Sequence, residues 1–503
     1  MAKSKTSSYV VEIPLCISQK QNEILASRFA VIHHISNVLV RHAIQQIHLL
    51  ERNAEYKSIM SKYKSNSVSK ENKIRLNELR LQYGLSEYQF HNYVIKQKHM
   101  YEKHINIHVA QKIATKVWIS VSNYLFGKGK QIHFKKLEQI NSYEGKNNET
   151  GIIYRNGYII NNGLKMKLSY RSSDILINQT LCAIDTNKCK VKFCRIMRKF
   201  IRNKYKYYVQ LVIEGEPIKK KNIPTLLSKK VGIDIGPSTI AVVSDDELLF
   251  EELGKNVTSI EKKIARLHRK LDRQRRINNP QNYRKDGTIR KDSKTFKKEW
   301  NYSKRMIQTK NKLRYLYQKR KNQLKLSHTQ LANRILQLGS YIIVEDMQWS
   351  ALSKRSKHTQ ISEKTGKFKK KKRFGKSIAN HAPRQLINIL ERKLNYINLH
   401  VIKVDCFKTA ATKFNHTTGE LMPIELHERF VTINNANIQR DLHSAFNLQH
   451  ILIHTNKTEI NYSYDIDTMN LDFVHFLNKH NILMNQIQKE KQLGQQFPSC
   501  MGI

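Results

Sequence analysis

The stretch Val231-Gly232-Ile233-Asp234-Ile235-Gly236-Pro237-Ser238-Thr239 decides how the second half of the chain folds. It alternates like a strand, and alternate side chains of a strand share a face. Val231, Ile233 and Ile235 therefore point one way, while Asp234 points the other way between two glycines. An unpaired acid on such a strand is costly to bury. The pattern predicts a carboxylate that is open to a bulky ligand.

The charge of the whole chain narrows the choice of ligand. The 503 residues are 40% hydrophobic and 9% aromatic, which is enough for several domains around more than one core. Lys and Arg total 90 against 40 Asp and Glu, which gives a formal net charge of +50. This excess runs the length of the chain and attracts polyanions, so nucleic acid is the expected partner.

Membranes and oxidising compartments fit the sequence less well. We find no apolar run long enough for a membrane span and no signal peptide, so we expect no membrane partner. No two cysteines form a CxxC pair, which argues against a disulfide framework or a zinc ribbon. We therefore expect a protein of the reducing cytoplasm. The six cysteines are Cys16, Cys182, Cys189, Cys194, Cys406 and Cys500.

The order of strand-like and helix-like segments predicts a multidomain α+β protein. A first strand is separated from later short strands by a long helical pattern, which indicates a β-barrel interrupted by a helical insertion. An α/β domain follows and is itself split. The expected boundaries are 1–18 for the first barrel strand, 19–125 for the helical domain, 126–218 for the rest of the barrel, 219–404 for the α/β domain, 405–439 for a ribbon-like insertion, 440–455 for the last motif helix of the α/β domain and 456–503 for a C-terminal tail.

Three acids stand out by their positions in this order. Asp234 lies in mid-strand, Glu345 ends an apolar strand, and Asp441 opens a helix on which it shares a face with Ala445 and Leu448. Acids that converge from two strands and a helix repel one another unless a cation holds them. Carboxylate oxygens suit Mg²⁺ or Mn²⁺, and two such ions support phosphodiester hydrolysis.

Each acid also has an ordinary interpretation. Asp441 alone fits a first-turn acid that the helix dipole favours, and Glu345 alone fits a partner of a lysine. Asp234 is harder to explain in this way, because a mid-strand acid without a partner is costly to bury. The order and element types of the three acids together are more specific than any one of them.

These motifs resemble the split RuvC-type nuclease of TnpB-like transposon-encoded proteins, which small type V CRISPR effectors share. The stretches that carry the resemblance are Gly-Ile-Asp-Ile-Gly at 232–236, Ile343-Val344-Glu345-Asp346, and Arg440-Asp441 at the start of an alanine-containing helix. Arg198-Lys199-Phe200 followed by Tyr207-Tyr208-Val209 also resembles the strand pair that leads into that nuclease. The resemblance covers about 190–450 by motif and 1–190 by architecture only.

The resemblance implies an RNA-guided DNA endonuclease with an RNase H-like core, preceded by a wedge barrel that a helical recognition domain interrupts. Asp234, Glu345 and Asp441 would be its catalytic residues and would bind two Mg²⁺ or Mn²⁺ ions. Its partners would be a guide RNA and a target DNA with a short flanking motif. The sequence leaves the oligomeric state open and favours a monomer. The residues expected to contact nucleic acid are Arg440 and, in the basic segment 351–380, Lys369, Lys370, Lys371, Lys372 and Arg373; a solvated loop is the alternative for that segment.

One departure from the resemblance concerns zinc. Many relatives carry a four-cysteine ribbon between the glutamate and the final aspartate, whereas 409–416 and 430–437 contain no cysteine. Cys406, His416 and His427 lack the spacing of a tetrahedral zinc site. We therefore predict a hairpin held by side-chain packing, without zinc.

Other functions remain open at this stage. An RNA-guided DNA-binding regulator with weak or no cleavage would keep the same architecture, and a DDE-type transposase would use similar chemistry. A sugar-kinase or actin-like ATPase also carries Asp-x-Gly-x-Ser/Thr, here at 234–238. That last class needs a second Asp-x-Gly phosphate loop and a glycine-rich adenosine site, and we find no convincing version of either.

Overall fold

The computed structural model of the protein describes residues 6–64, 69–202, 204–218, 229–290, 299–355, 374–425, 427–455, 460–498 and 501–502, with 358, 361–362 and 366. The chain divides into two units, Met1–Lys221 and Asn222–Ile503. Among the helices in these ranges, none combines the length and apolar character that a membrane span requires.

The first unit contains strands and helices in the order that the sequence predicts. Its strands are β1 Ser8–Cys16, β2 Ser142–Glu144, β3 Ile152–Arg155, β4 Tyr158–Asn161, β5 Leu164–Leu168, β6 Val191–Ile201 and β7 Lys204–Glu214. Its helices are α1 Gln19–Arg52, α2 Ala54–Lys64, α3 Lys70–Gln82, α4 Glu87–Lys98, α5 Ile107–Leu125 and α6 Ile175–Asp185.

The strands of the first unit form a nearly closed, barrel-like sheet in the order β2-β6-β7-β1-β5-β4-β3. β3, at one end of this order, also lies against β6 near the other end. β1 pairs antiparallel with β7 from Ser8 opposite Glu214 to Pro14 opposite Tyr208, although helices α1–α5 separate the two strands in sequence. The prediction of a barrel interrupted by helices is therefore confirmed.

A capping box starts the helical insertion directly after β1. The Ser18 hydroxyl accepts a hydrogen bond from the Gln21 backbone N–H (3.3 Å), and the Gln21 side chain accepts one from the Ser18 N–H (2.9 Å). The insertion packs on the sheet through buried Arg198, whose guanidinium lies 4.2 Å from the Phe29 ring and 4.5 Å from the Tyr205 ring. Cation–π contacts of this kind strengthen when water is excluded.

The second unit contains two small hairpins besides its main sheet. Its strands are β8 Lys230–Ile235, β9 Thr239–Ser244, β10 Leu248–Glu252, β11 Tyr341–Glu345, β12 Ile402–Val404, β13 Phe430–Ile433, β14 Ala436–Gln439, β15 Ile451–Thr455 and β16 Ile460–Tyr464. Its helices are α7 Thr258–Asn278, α8 Lys304–Leu338, α9 Trp349–Ser353, α10 Gly375–His381, α11 Pro383–Asn395, α12 Cys406–Thr409, α13 Arg440–Gln449 and α14 Ile466–Gln492.

The main sheet has the order β10-β9-β8-β11-β12, with β8 in the centre. β8, β9 and β10 are antiparallel, whereas β11 runs parallel to both β8 and β12. Val231, Ile233 and Ile235 pack on α8 and α11, as the alternation of β8 predicts. Residues of β9 and β10 form a second core with α13 and α14 on the other face of the sheet.

Gly339 follows the last residue of α8 and is needed for a reason that the sequence does not reveal. Its φ is 173°, which is extended backbone that any residue adopts. A Cβ at this position would lie 2.4 Å from the carbonyl oxygen of Lys229. Lys229 directly precedes β8, and Gly339 lies just before β11. The glycine is therefore required because these two segments approach each other closely where the strand pair begins.

Gly232 gives α13 its position on the central strand. A Cβ on Gly232 would lie 1.9 Å from the carbonyl oxygen of Ala445 and 2.5 Å from the backbone nitrogen of Gln449. Both atoms belong to the helix backbone, so no rotamer change would relieve the clash. The helix therefore contacts β8 closely only because position 232 has no side chain.

We expect Gly232→Ala to destabilise the second unit by about 3 kcal/mol, because overpacking against backbone costs more than overpacking against side chains. The free energy of unfolding in urea measures this loss. Gly129→Ala is the matched control, since the nearest atom to its added Cβ lies 3.6 Å away. Equal stability of the two variants would contradict the close approach of α13 to β8.

Candidate active site and basic surface

Asp234 and Glu345 lie on adjacent parallel strands. Val344 of β11 pairs with Ile233 of β8. Carrying the same register one residue further sets Glu345 beside Asp234, and in-register neighbours of a parallel pair point to the same face. Adjacent strands are about 4.8 Å apart. The two carboxylates are therefore neighbours near the C-terminal ends of β8 and β11.

α13 brings the third acid to the same place. The helix contacts Gly232 through Ala445 and Gln449, and the hydroxyl of Ser444 hydrogen-bonds to the Asp234 carboxylate. Asp441 lies one helical turn before Ala445, which is about 6 Å along the helix axis. Asp234 lies two residues beyond Gly232, which is roughly 7 Å along the strand. The helix thus runs antiparallel to β8 and sets Asp441 near Asp234.

The cluster is electrostatically unfavourable when all three acids are ionised. Burial raises the pKa of Asp234 well above its usual range, and the negative charges of Asp441 and Glu345 raise it further. The Ser444 hydrogen bond and the charge of Arg440 act in the opposite direction. Burial also raises the pKa of Glu345 to about 7. The three acids therefore lack a full countercharge from the protein.

Arg440 partly supplies that countercharge. Its guanidinium donates to Asp441 Oδ1 from Nε (3.3 Å) and Nη2 (3.1 Å), and from Nη1 to the Glu428 carbonyl oxygen (2.9 Å). Only 13% of its side-chain surface is exposed. Arg440 therefore orients Asp441, and its contact with nucleic acid stays a prediction.

The segment after β12 forms the other side of the cluster. Burial raises the pKa of Cys406, and the charge of Glu345 adds to the rise. Burial also raises the pKa of Tyr464, again with a contribution from Glu345. The Tyr464 hydroxyl donates to the Thr409 carbonyl oxygen (2.7 Å), and its ring stacks 3.9 Å from Phe414. This segment is therefore fixed close to Glu345.

The side chains of Asp234, Glu345 and Asp441 are of the type that binds divalent metal ions, but their positions do not form a metal-binding cluster. Within the described ranges, no group of three or more His, Cys, Asp or Glu side chains meets the geometry of a metal-binding cluster. Three carboxylates that burial and mutual repulsion destabilise nevertheless match the hard oxygen ligands that Mg²⁺ and Mn²⁺ prefer. Asp441 holds Arg440 in this arrangement, so a cation would have to compete with that arginine.

The ribbon-like insertion contains the antiparallel hairpin β13–β14. His416 is 1% exposed, and its ring lies 4.5 Å from that of Phe473 and 5.8 Å from that of Phe446. Burial lowers the pKa of His416 to about 4, so the ring is neutral near pH 7. His416 thus packs as an aromatic residue, and the absence of zinc stays a prediction.

The basic surface of the described chain differs from the one that the sequence singled out. Lys369, Lys370, Lys371, Lys372 and Arg373 lie outside the described residues. A second basic region, 258–290, carries eleven Lys and Arg against three Asp and Glu, and none of its residues is among the nucleic-acid contacts predicted from the sequence. It comprises α7 and the connection toward α8. The signal was present as the run of Arg and Lys along one predicted helix.

Aromatic rings hold two arginines at the end of α7. The Arg275 guanidinium lies 3.9 Å from the centre of the Trp300 ring, and Arg276 lies 5.8 Å from that of Tyr283. Trp300 and Tyr283 meet edge to face with centroids 6.1 Å apart. Guanidinium groups fixed in this way lose less conformational freedom when they bind phosphate.

Buried asparagines hold the backbone of this connection. Asn279 is fully buried; its Nδ2 donates to the Arg275 and Asn301 carbonyl oxygens (both 3.1 Å), and its Oδ1 accepts from the Asn301 N–H (2.6 Å). Asn282 donates to the Glu299 carbonyl oxygen (2.7 Å). Side-chain hydrogen bonds therefore order both described ends of this connection. We call the four side chains that meet there, Arg275, Arg276, Tyr283 and Trp300, the arginine–aromatic cluster.

Comparisons with known proteins give structural neighbours but no sequence family. No family model matches the sequence, and no curated protein matches it. A solved Cas12f1–sgRNA–target DNA complex is similar over 88% of this chain and 99% of that chain, with 11% sequence identity and a TM-score of 0.46. A CRISPR–Cas12f ternary complex is similar over 85% and 81%, with 14% identity and a TM-score of 0.28.

Both structures belong to the class of small type V CRISPR effectors that the sequence motifs resemble. At these identities and TM-scores, neither structure decides what this chain does. The function is therefore inferred from the residues of the site and from the charge of the chain.

We expect Glu345→Gln to stabilise the protein by about 3 kcal/mol at pH 8 in the presence of a chelator. The folded-state pKa of about 7 exceeds the ordinary value of 4.5, so ionisation costs the native state. This cost is absent below about pH 4.5, grows with pH, and is complete above pH 7. The difference should therefore nearly vanish at pH 4.5.

Urea unfolding in EDTA at the two pH values measures this effect. Glu420→Gln is the control, because Glu420 is an exposed glutamate of the same unit. A stability difference for Glu345→Gln that is the same at both pH values would contradict the electrostatic origin.

Proposed function

We propose that the protein is an RNA-guided DNA endonuclease whose active site is formed by Asp234, Glu345 and Asp441. The observation that carries the proposal is the meeting of three carboxylates from β8, β11 and α13 on one face of the sheet. Three neighbouring acids destabilise the fold when they are ionised, so their role in a chain of net charge +50 is not to stabilise the structure. The cluster is understandable as a site for divalent cations.

The three acids would hold two Mg²⁺ or Mn²⁺ ions. When bound, such ions supply Lewis-acid activation of a water molecule and stabilise the leaving oxygen of a phosphodiester. The residues of the chain orient the ligands: Ser444 hydrogen-bonds to Asp234, and Arg440 holds Asp441 until a cation replaces it. The backbone of α13 covers Gly232, and Gly236 places no side chain on the other side of Asp234.

The remaining parts of the proposal follow from the charge and the resemblance. A mixed five-stranded sheet with the acid-bearing strand in its centre supports an RNase H-like core. We assign the wedge role to the barrel of the first unit and the recognition role to residues 19–125. The positive charge would contact guide RNA and the guide–target duplex through their phosphates.

A second candidate is an RNA-guided DNA-binding regulator that does not cut. The pairing of Asp441 with Arg440 favours it, because an arginine that keeps this position would neutralise one metal ligand permanently. The two candidates differ in one observable, which is metal-dependent cleavage by the protein with its bound RNA.

We expect Asp234→Asn to abolish Mg²⁺-dependent cleavage, with a loss of more than about a hundredfold, while RNA and DNA binding persist. The amide keeps the shape of the side chain and removes its charge. The assay uses the protein with the RNA that co-purifies with it, and a DNA target matched to that RNA by sequencing.

Asp467→Asn is the control, since Asp467 is an exposed acid in the first turn of α14. Undiminished cleavage by Asp234→Asn would remove Asp234 from the active site. Binding without cleavage by the unaltered protein would favour the regulator. Failure to recover a discrete RNA would refute the guided mechanism and leave the nuclease to be tested alone.

The arginine–aromatic cluster should contribute to nucleic-acid binding. We expect Arg275→Gln to weaken binding of a labelled RNA–DNA duplex and to reduce the slope of log K against log salt by about one. Trp300→Leu should weaken binding less and leave the slope nearly unchanged, because the charge remains. Fluorescence anisotropy over a range of salt concentrations measures both quantities.

Arg334→Gln is the matched control, since it removes the same charge from an arginine that is already paired with Glu247 and Glu251. If Arg275→Gln behaved like Arg334→Gln, the cluster would be structural only.

A further inference from the structure

Phe407 is the most exposed large hydrophobic side chain among the described residues, with 92% of its surface open to solvent. Burying a phenylalanine side chain contributes about 2–3 kcal/mol, so an exposed ring forgoes that stabilisation. A single exposed apolar residue is common on protein surfaces and needs no explanation by itself. Phe407 is of interest because it lies close in sequence to the strand that pairs with Glu345.

Phe407 lies directly beyond the strand that pairs with Glu345. In the parallel register of β11 and β12, Glu345 is opposite Val404. The Asp346 backbone N–H donates to the Val404 carbonyl oxygen (2.8 Å), which holds the two strand ends together. Only two residues separate Val404 from Phe407. The ring therefore projects into solvent at the edge of the acidic cluster.

The backbone around Phe407 is fixed although its ring is free. Asp405 caps α12 by accepting a hydrogen bond from the Phe407 backbone N–H (2.8 Å). The Asp405 carbonyl oxygen accepts from the Thr409 N–H (3.0 Å), and the Thr409 carbonyl oxygen accepts from the Tyr464 hydroxyl (2.7 Å). Lys408 Nζ donates to the Ile460 carbonyl oxygen (3.3 Å). An exposed ring on a fixed backbone is ready for a partner at little entropic cost.

The same segment is tied to the helix that carries Asp441. The Asn447 side chain on α13 donates to the carbonyl oxygens of Ala411 and Phe414, both at 2.8 Å. Val404 and Ala411 share a small core with Leu448 of α13. The segment that carries Phe407 and the helix that carries Asp441 are therefore joined by one connected set of contacts.

We propose that Phe407 positions the substrate by stacking its ring on a nucleobase of the single strand whose phosphodiester enters the Asp234–Glu345–Asp441 site. The inference rests on the proposed nuclease function. Base–aromatic stacking tolerates any sequence, because every base has a flat face. That tolerance suits an enzyme whose sequence choice is made elsewhere, by base pairing.

The local charge favours a nucleic acid over an apolar protein surface as the partner. The stretch 403–413 contains the cations Lys403, Lys408 and Lys413 and the single acid Asp405. Lys403 is paired with Glu391 of α11 (3.9 Å), whereas Lys408 follows Phe407 directly and would meet the phosphates of a base stacked on that ring. Holding the strand on a rigid platform would fix the phosphodiester against the carboxylates, where small displacements are costly to the rate.

The test compares Phe407→Ala with the conservative Phe407→Tyr. Leu493→Ala is the control, since Leu493 is 87% exposed and its truncation also removes a large apolar side chain. Each protein carries its co-purified RNA and binds a matched DNA target with 2-aminopurine placed in turn along the cut strand. Fluorescence is read in the Asp234→Asn background, and cleavage rates are read with Asp234 intact.

We expect 2-aminopurine at one or two adjacent positions to be quenched by the parent protein, by Phe407→Tyr and by Leu493→Ala, but not by Phe407→Ala. Cleavage by Phe407→Ala should fall roughly tenfold to a hundredfold and recover in Phe407→Tyr. Quenching that Phe407→Ala leaves unchanged at every position would overturn the proposal, whatever the cleavage rate. So would an effect of Phe407→Ala on protein association alone.

These outcomes separate the proposal from the nuclease function on which it rests. If no protein cuts DNA but the quenching still depends on Phe407, the stacking role stands and the nuclease assignment falls. If cleavage is normal in Phe407→Ala and the quenching persists, the nuclease stands and the stacking role falls.

Discussion

The backbone contact between Gly232 and α13 is the constraint on which the candidate site depends. A helix usually packs on a sheet through side chains, but here the Ala445 carbonyl would lie 1.9 Å from a Cβ on Gly232. This close approach sets the depth and the register of the helix at once. Asp441 then comes near Asp234 because it lies one turn before the contact and Asp234 lies just beyond it on the strand, while Ser444 directly precedes the contact.

The same arrangement creates an electrostatic cost that the rest of the unit does not remove. Burial and like charges raise the pKa of Asp234, and burial raises that of Glu345 to about 7. Arg440 relieves part of this cost through Asp441. In a chain with such a large excess of Lys and Arg, evolution had many cations with which to neutralise the cluster. Within the described ranges, Arg440 is the one cation paired with an acid of this cluster, which is consistent with a site that a metal ion completes.

Some features of the structure follow from local sequence patterns, and others follow only from contacts between distant segments of the chain. The strand carrying Asp234, the helix opened by Arg440 and the barrel interrupted by helices follow from alternation, capping and element order. The glycine that ends α8, Gly339, depends on a tertiary contact, since its backbone is extended and a Cβ there would meet the Lys229 carbonyl oxygen. Arg440 was expected to contact nucleic acid, which stays a prediction, and the structure shows that its guanidinium donates to Asp441. A side chain with five donors has many partners, and sequence alone does not rank them.

The sequence by itself determined that Asp234 lies opposite the apolar face of its strand, because strand periodicity is a local property of the backbone. It also determined the net charge of +50, which predicts a polyanionic partner, since net charge needs no fold. Only the tertiary structure decided that Glu345 is the in-register neighbour of Asp234, and that Gly232 allows α13 to bring Asp441 and Ser444 to them. It also decided that Phe407 lies exposed beside these acids. Register and close approach arise from contacts between segments that are far apart in the chain, and no local pattern encodes those contacts.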